Sequence, residues 1–99
     1  PRIVRVDNFS MDMVPEGQMV MIVNKDQPGV IGVVGSTFGD AQVNIADMVI
    51  SRDQQRPDGA IALMVLKTDQ PAPDSLLNRL RARPGILRVK PVALPARDG

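Results

Sequence analysis

Two stretches of the chain share one pattern of apolar and polar positions. Val20-Met21-Ile22-Val23-Asn24-Lys25-Asp26-Gln27-Pro28 aligns with Leu63-Met64-Val65-Leu66-Lys67-Thr68-Asp69-Gln70-Pro71. Four of the nine positions are identical and three more exchange one apolar residue for another. A nearly unbroken run of Met, Ile, Val and Leu predicts a strand central in its sheet and covered on at least one face. Proline then ends the ladder, and its fixed φ suits the first turn of a helix. The repetition predicts a duplicated β-α-β unit.

Beyond the first copy, Val30, Val34, Phe38 and Ala41 recur at helical spacing with Ile31 beside them. This stripe predicts a helix from about Pro28 to Ala41. Gly32, Gly35 and Gly39 each cost about 1 kcal/mol against alanine in an isolated helix, so tertiary packing must hold it. Close approach to the sheet is the expected reason for these glycines, and a partner contact the alternative. A strand over residues 43–52 follows, then a turn over 53–59 whose Asp58-Gly59 is a hairpin signal. The returning strand covers residues 60–67. A second helix runs from Pro73 to Arg83, with Asp74 in its first turn, Leu76, Leu77 and Leu80 inward, and arginines toward its C-terminus. Pro84-Gly85 ends it, and the last strand spans Ile86 to Leu94.

The order β-α-β-β-α-β predicts an α+β, ferredoxin-like fold. Right-handed crossovers then place both helices on one face of a four-stranded antiparallel sheet. Residues 1–16 stand outside that count. Residues 2–7 and 10–14 alternate around a turn at Asn8-Phe9, which predicts a β-hairpin arm, and Pro15-Glu16-Gly17 punctuates like a linker. The arm reads as the end of a preceding domain, residues 17–94 as the folded unit, and 95–99 as a flexible tail. The chain opens on proline, as a piece of something longer would.

A chain of 99 residues with 43% apolar and 23% charged positions is expected to make one globular domain. The absence of Cys excludes disulfides and thiolate metal sites, and the absence of His removes the commonest general base and metal ligand. With no Trp or Tyr, two Phe and a net charge of +1, neither base stacking nor a polyanionic partner is expected. No apolar run approaches a membrane span and no signal peptide opens the chain, so a cytoplasmic setting is expected. Catalysis, a resident cofactor and a metal are not expected in these residues.

The segment that carries chemistry is Asn24 to Gly32. Gly29 leaves a helix start uncovered, so a small carboxylate or phosphate can approach the backbone N–H groups of about Gly29, Val30 and Ile31. Asp26 and Asn24 at the strand end, with Asn44 entering the second strand, can accept from an ammonium group. Anion donors beside cation acceptors fit an amino-acid zwitterion. A plainer role is open for the same residues: Asp26 as a helix cap, about 1 kcal/mol, and Asn44 in a turn. The glycines form neither a phosphate loop nor a dinucleotide fingerprint.

Asn-Lys-Asp-Gln-Pro-Gly-Val-Ile-Gly, then Gly35, then Val43-Asn44-Ile45-Ala46, resembles the signature of the ACT domain. The likeness is greatest to the C-terminal regulatory domain of phosphoglycerate dehydrogenases and runs from about Gly17 to Leu94. It implies an NAD-dependent parent enzyme in L-serine biosynthesis, and a domain that binds L-serine or a similar amino acid between two subunits. The motif positions of that site fall on Asn24, Asp26 and Asn44. Asn24 stands where some serine-sensitive members carry histidine, and Asp26 where some carry asparagine, which trades a donor for a charge. The resemblance also implies a homo-oligomer joined side by side through the edge strand over residues 43–52. Two other readings accompany it: an oligomerisation module that binds no ligand, and the ACT domain of an L-serine dehydratase.

Overall fold

The computed structural model describes residues 3–6, 9–53 and 60–95. A short hairpin comes first, β1 (Ile3–Val6) paired antiparallel with β2 (Phe9–Asp12). There follow β3 (Gly17–Lys25), α1 (Val30–Asp40), β4 (Ile45–Asp53), β5 (Ile61–Thr68), α2 (Asp74–Arg81) and β6 (Ile86–Leu94). The four longer strands form one antiparallel sheet in the order β4-β5-β3-β6. This is the expected ferredoxin-like arrangement, and the two matching apolar runs are its central strands, β3 and β5.

Their continuous hydrophobicity has a specific cause. Along β3, Val20 and Ile22 join a core with Val34 and Phe38 of α1 and Leu76, Leu77 and Leu80 of α2. The alternate residue Met19 points the other way, into a second core with Phe9, Met11, Met13, Leu63 and Val65. The helices cover one face and the N-terminal arm covers the other. Both faces of β3 and β5 are therefore dry, and neither strand alternates.

Several expectations shift against this frame. Phe9, expected in a turn, pairs with Val6 as part of β2. The strand expected from residue 43 begins at Ile45, because Val43 and Asn44 close α1. There Gln42 takes a left-handed φ of 58° and the Val43 N–H donates to the Phe38 carbonyl at 3.0 Å. The second helix ends at Arg81, whose guanidinium donates to the Val89 carbonyl of β6 at 3.0 Å. The Asp58-Gly59 turn and most of the expected tail lie outside the described residues.

The glycines of α1 do not serve close approach to the sheet. A Cβ built at Gly32, Gly35 or Gly39 meets no heavy atom within 4 Å. They are open positions on a helix held by Val34 and Phe38, both fully buried. Gly35→Ala is accordingly expected to stabilise the protein by about 0.5–1 kcal/mol. A urea midpoint that fails to rise would show that another constraint acts on this face.

Candidate functional site

The sheet register builds a cleft at the C-terminal ends of β3 and β4. Asn24 of β3 and Arg52 of β4 both pair with Ala62 of β5, so the three side chains form one cross-strand row. Ile22, Met64 and Ile50 form the next row. Both rows lie on the face toward the helices, where Ile22 and Met64 enter the core. The first turn of α1 overhangs them with Val30 and Ile31. Between floor and overhang is a cleft of about 350 Å³, lined by Asn24, Asp26, Gln27, Val30, Ile31, Ile50, Arg52, Ala62 and Met64. The small side chain of Ala62 leaves the space between Asn24 and Arg52.

Asn24 is 3% exposed. Its Nδ2 donates to the Lys25 carbonyl at 2.7 Å, which assigns the amide orientation, because only the nitrogen can donate to a carbonyl. Oδ1 is then left buried with no hydrogen-bond partner among the described residues. An orphaned buried acceptor costs about 1–3 kcal/mol, which a donor entering the cleft would recover.

Asp26 is not the cap of α1. The N-cap is Gly29, at a left-handed φ of 89°, and the helix start makes no side-chain hydrogen bond. Glycine is required there by that backbone angle. As a glycine the N-cap offers no side-chain acceptor to the first turn, where the Val30 N–H donates to the Gln27 carbonyl at 3.5 Å. Asp26 instead accepts from Arg52, at 2.9 Å from Nε and 3.3 Å from Nη2. Its loop is anchored on both sides, by the Lys25 N–H to the Gly85 carbonyl (2.8 Å) and the Asp26 N–H to the Ala60 carbonyl (3.0 Å).

The chain matches the family model for the ACT domain over residues 18–85. It belongs to the ACT-domain family. The domain is 37% identical over 86 residues to D-3-phosphoglycerate dehydrogenase of Archaeoglobus fulgidus, covering 87% of this chain and 16% of that protein. To the enzyme of the same name in Bacillus subtilis it is 38% identical over 94 residues, covering 95% and 17%. To that of Synechocystis it is 40% identical over 85 residues, covering 86% and 15%. The chain therefore spans about one-sixth of the length of these relatives. Among solved structures, the ACT domain from GTP pyrophosphokinase of Chlorobium tepidum superposes with a TM-score of 0.49 at 21% identity, covering 78% of this chain and 97% of that one.

Within this ACT domain the expected site residues divide into three groups. Asn24, Asp26, Val30 and Ile31 line the one cleft. Gly29 lies just outside it, in a neighbouring depression of about 260 Å³ that shares Gln27 and Val30 and is bounded by Arg83. Asn44 is at the far end of the sheet, where its Nδ2 donates to Asp69 Oδ2 at 2.7 Å. It precedes β4, whereas Arg52 is the last residue but one of that strand. Sequence reasoning missed Arg52. Its signal was the pairing of β4 with β5, which sets Arg52 against the small Ala62 and so opposite Asn24. Among the described residues no cluster of acidic side chains could hold a metal ion, and no helix is long and apolar enough to cross a membrane.

Proposed function

We propose that this ACT domain is the amino-acid-binding regulatory module of a phosphoglycerate dehydrogenase, taking L-serine or a similar small amino acid. The NAD-dependent chemistry belongs in this reading to the rest of that enzyme. The observation that carries the proposal is Asn24 Oδ1, buried beside the cleft and lacking a donor. A ligand ammonium would supply that donor and also reach Asp26, whose carboxylate has acceptor capacity beyond the two bonds from Arg52. The ligand carboxylate would meet the first-turn N–H groups of α1, which carry the positive end of the helix dipole.

The edge strands support a junction between two subunits. β6 carries Arg88, Lys90 and Pro91, the charges and proline that discourage strand addition. β4 carries Met48-Val49-Ile50 at its middle and presents the other free edge. Antiparallel pairing of two β4 strands about Val49 sets Ile45 of one against Asp53 of the other. That brings Asn44 of the partner subunit beside the cleft and restores the residue that a single subunit leaves at a distance.

Isothermal titration of the protein with L-serine, beside Asn24→Ala, tests the reading. Wild type is expected to bind and Asn24→Ala to bind about tenfold or more weakly. The stability of the variant should stay within about 1 kcal/mol, since one hydrogen bond and one unsatisfied acceptor leave together. Equal affinity in the two proteins would remove the site. No binding by wild type across the small amino acids would leave the ligand-free oligomerisation module, for which the open β4 edge is the favouring observation.

A further inference from the structure

We propose that Arg52 is the carboxylate-binding residue of this cleft and that it makes the site select zwitterions over simple amines. The inference rests on the amino-acid reading above and adds to it a residue and a ligand class.

The cross-strand row supplies the geometry. Asn24 and Arg52 stand on either side of Ala62, one strand spacing each, so their backbones are about 9.5–10 Å apart. The cleft of about 350 Å³ that Asn24, Ala62 and Arg52 all line has the volume for a small amino acid. The ends of the row differ in kind. Asn24 offers a lone acceptor, and Arg52 offers N–H donors and a positive charge. A zwitterion lying across Ala62 has one orientation, with its ammonium toward Asn24 and Asp26 and its carboxylate toward Arg52.

The ion pair prepares Arg52 for this role. Asp26 holds Nε and Nη2, which uses two of the five guanidinium N–H donors and leaves three. The two-point grip sets the plane of the fork. The Asp26 side chain is 18% exposed and that of Arg52 is 58%, so the pair has an inner anion and an outer cation. A bare amine entering beside Asp26 would put two cations on one carboxylate. A zwitterion brings its own anion to Arg52, so each cation keeps a counter-charge. The carboxylate would thus be shared between Arg52 and the first turn of α1.

The test is calorimetry with L-serine and with L-serinamide, which keeps the ammonium and lacks the carboxylate, on wild type, Arg52→Gln and Arg52→Lys. Wild type is expected to favour L-serine over L-serinamide by about tenfold or more. Arg52→Gln should lose about tenfold in L-serine affinity, the loss of one charge-assisted hydrogen bond, and most of the preference. Arg52→Lys, which keeps the charge without the fork, should fall between. Melting curves confirm that each variant is folded. Arg52→Gln binding L-serine as tightly as wild type, or more tightly, overturns the role of Arg52 and leaves the amino-acid site standing. Wild type that binds no amino acid overturns the site itself, and is seen before any variant is made.

Discussion

Phe9→Ala is expected to lower the stability of the protein by about 3–5 kcal/mol, the cost of truncating a buried phenylalanine. Phe9 is 4% exposed and packs with Met11, Met13, Met19, Leu63 and Val65 on the sheet face away from the helices. A domain of this size has about 5–15 kcal/mol in total, so the loss should appear as a large fall in the denaturant midpoint. An arm merely trailing from the domain predicts a change within about 0.5 kcal/mol. Equilibrium unfolding in urea separates the two. A small effect would show that the arm leaves the sheet in solution. A large one would show that residues before Gly17 are needed to keep Met19, Leu63 and Val65 dry.

Asn44→Ala is expected to weaken L-serine binding about tenfold or more, about 1.4 kcal/mol, with little change in melting temperature. Among the described residues the Asn44 side chain bonds the exposed Asp69, at the other end of β4 from Arg52, the ion-pair partner of Asp26. Loss of that exposed bond should cost no more than about 1 kcal/mol. An effect on binding therefore has to cross from one subunit to another, through paired β4 edges. Titration at concentrations where sedimentation shows a dimer makes the comparison. Equal affinity in wild type and Asn44→Ala would place the whole site within one subunit.

Local pattern was enough to read most of the architecture. The apolar runs beginning at Val20 and Leu63 identified the two central strands, and the spacing of Val30, Val34 and Phe38 identified α1. Pro84-Gly85 and the run after it marked β6 from Ile86 to Leu94. These features depend on neighbours within a few residues, where helix and strand periodicity are written directly into the order of side chains. The cleft residues before and inside α1 were legible for the same reason, because strand end, proline and helix start are contiguous.

What the tertiary structure decided were the partners that distant segments supply. Asp26 in a loop before a helix reads equally well as a cap. Only the arrival of Arg52 from β4, with Gly29 holding the N-cap position, makes it half of an ion pair. Asn24 reads as an acceptor at a strand end, and it is burial that leaves its Oδ1 without a donor among the described residues. The arm reads as a hairpin ending a preceding domain, and the sheet face it covers is set by packing. The α1 glycines read as contacts and proved to face open space. In each case the sequence determined the chemical capacity of the residue, whereas strand register and layer packing, which join segments far apart in the chain, determined what that capacity meets.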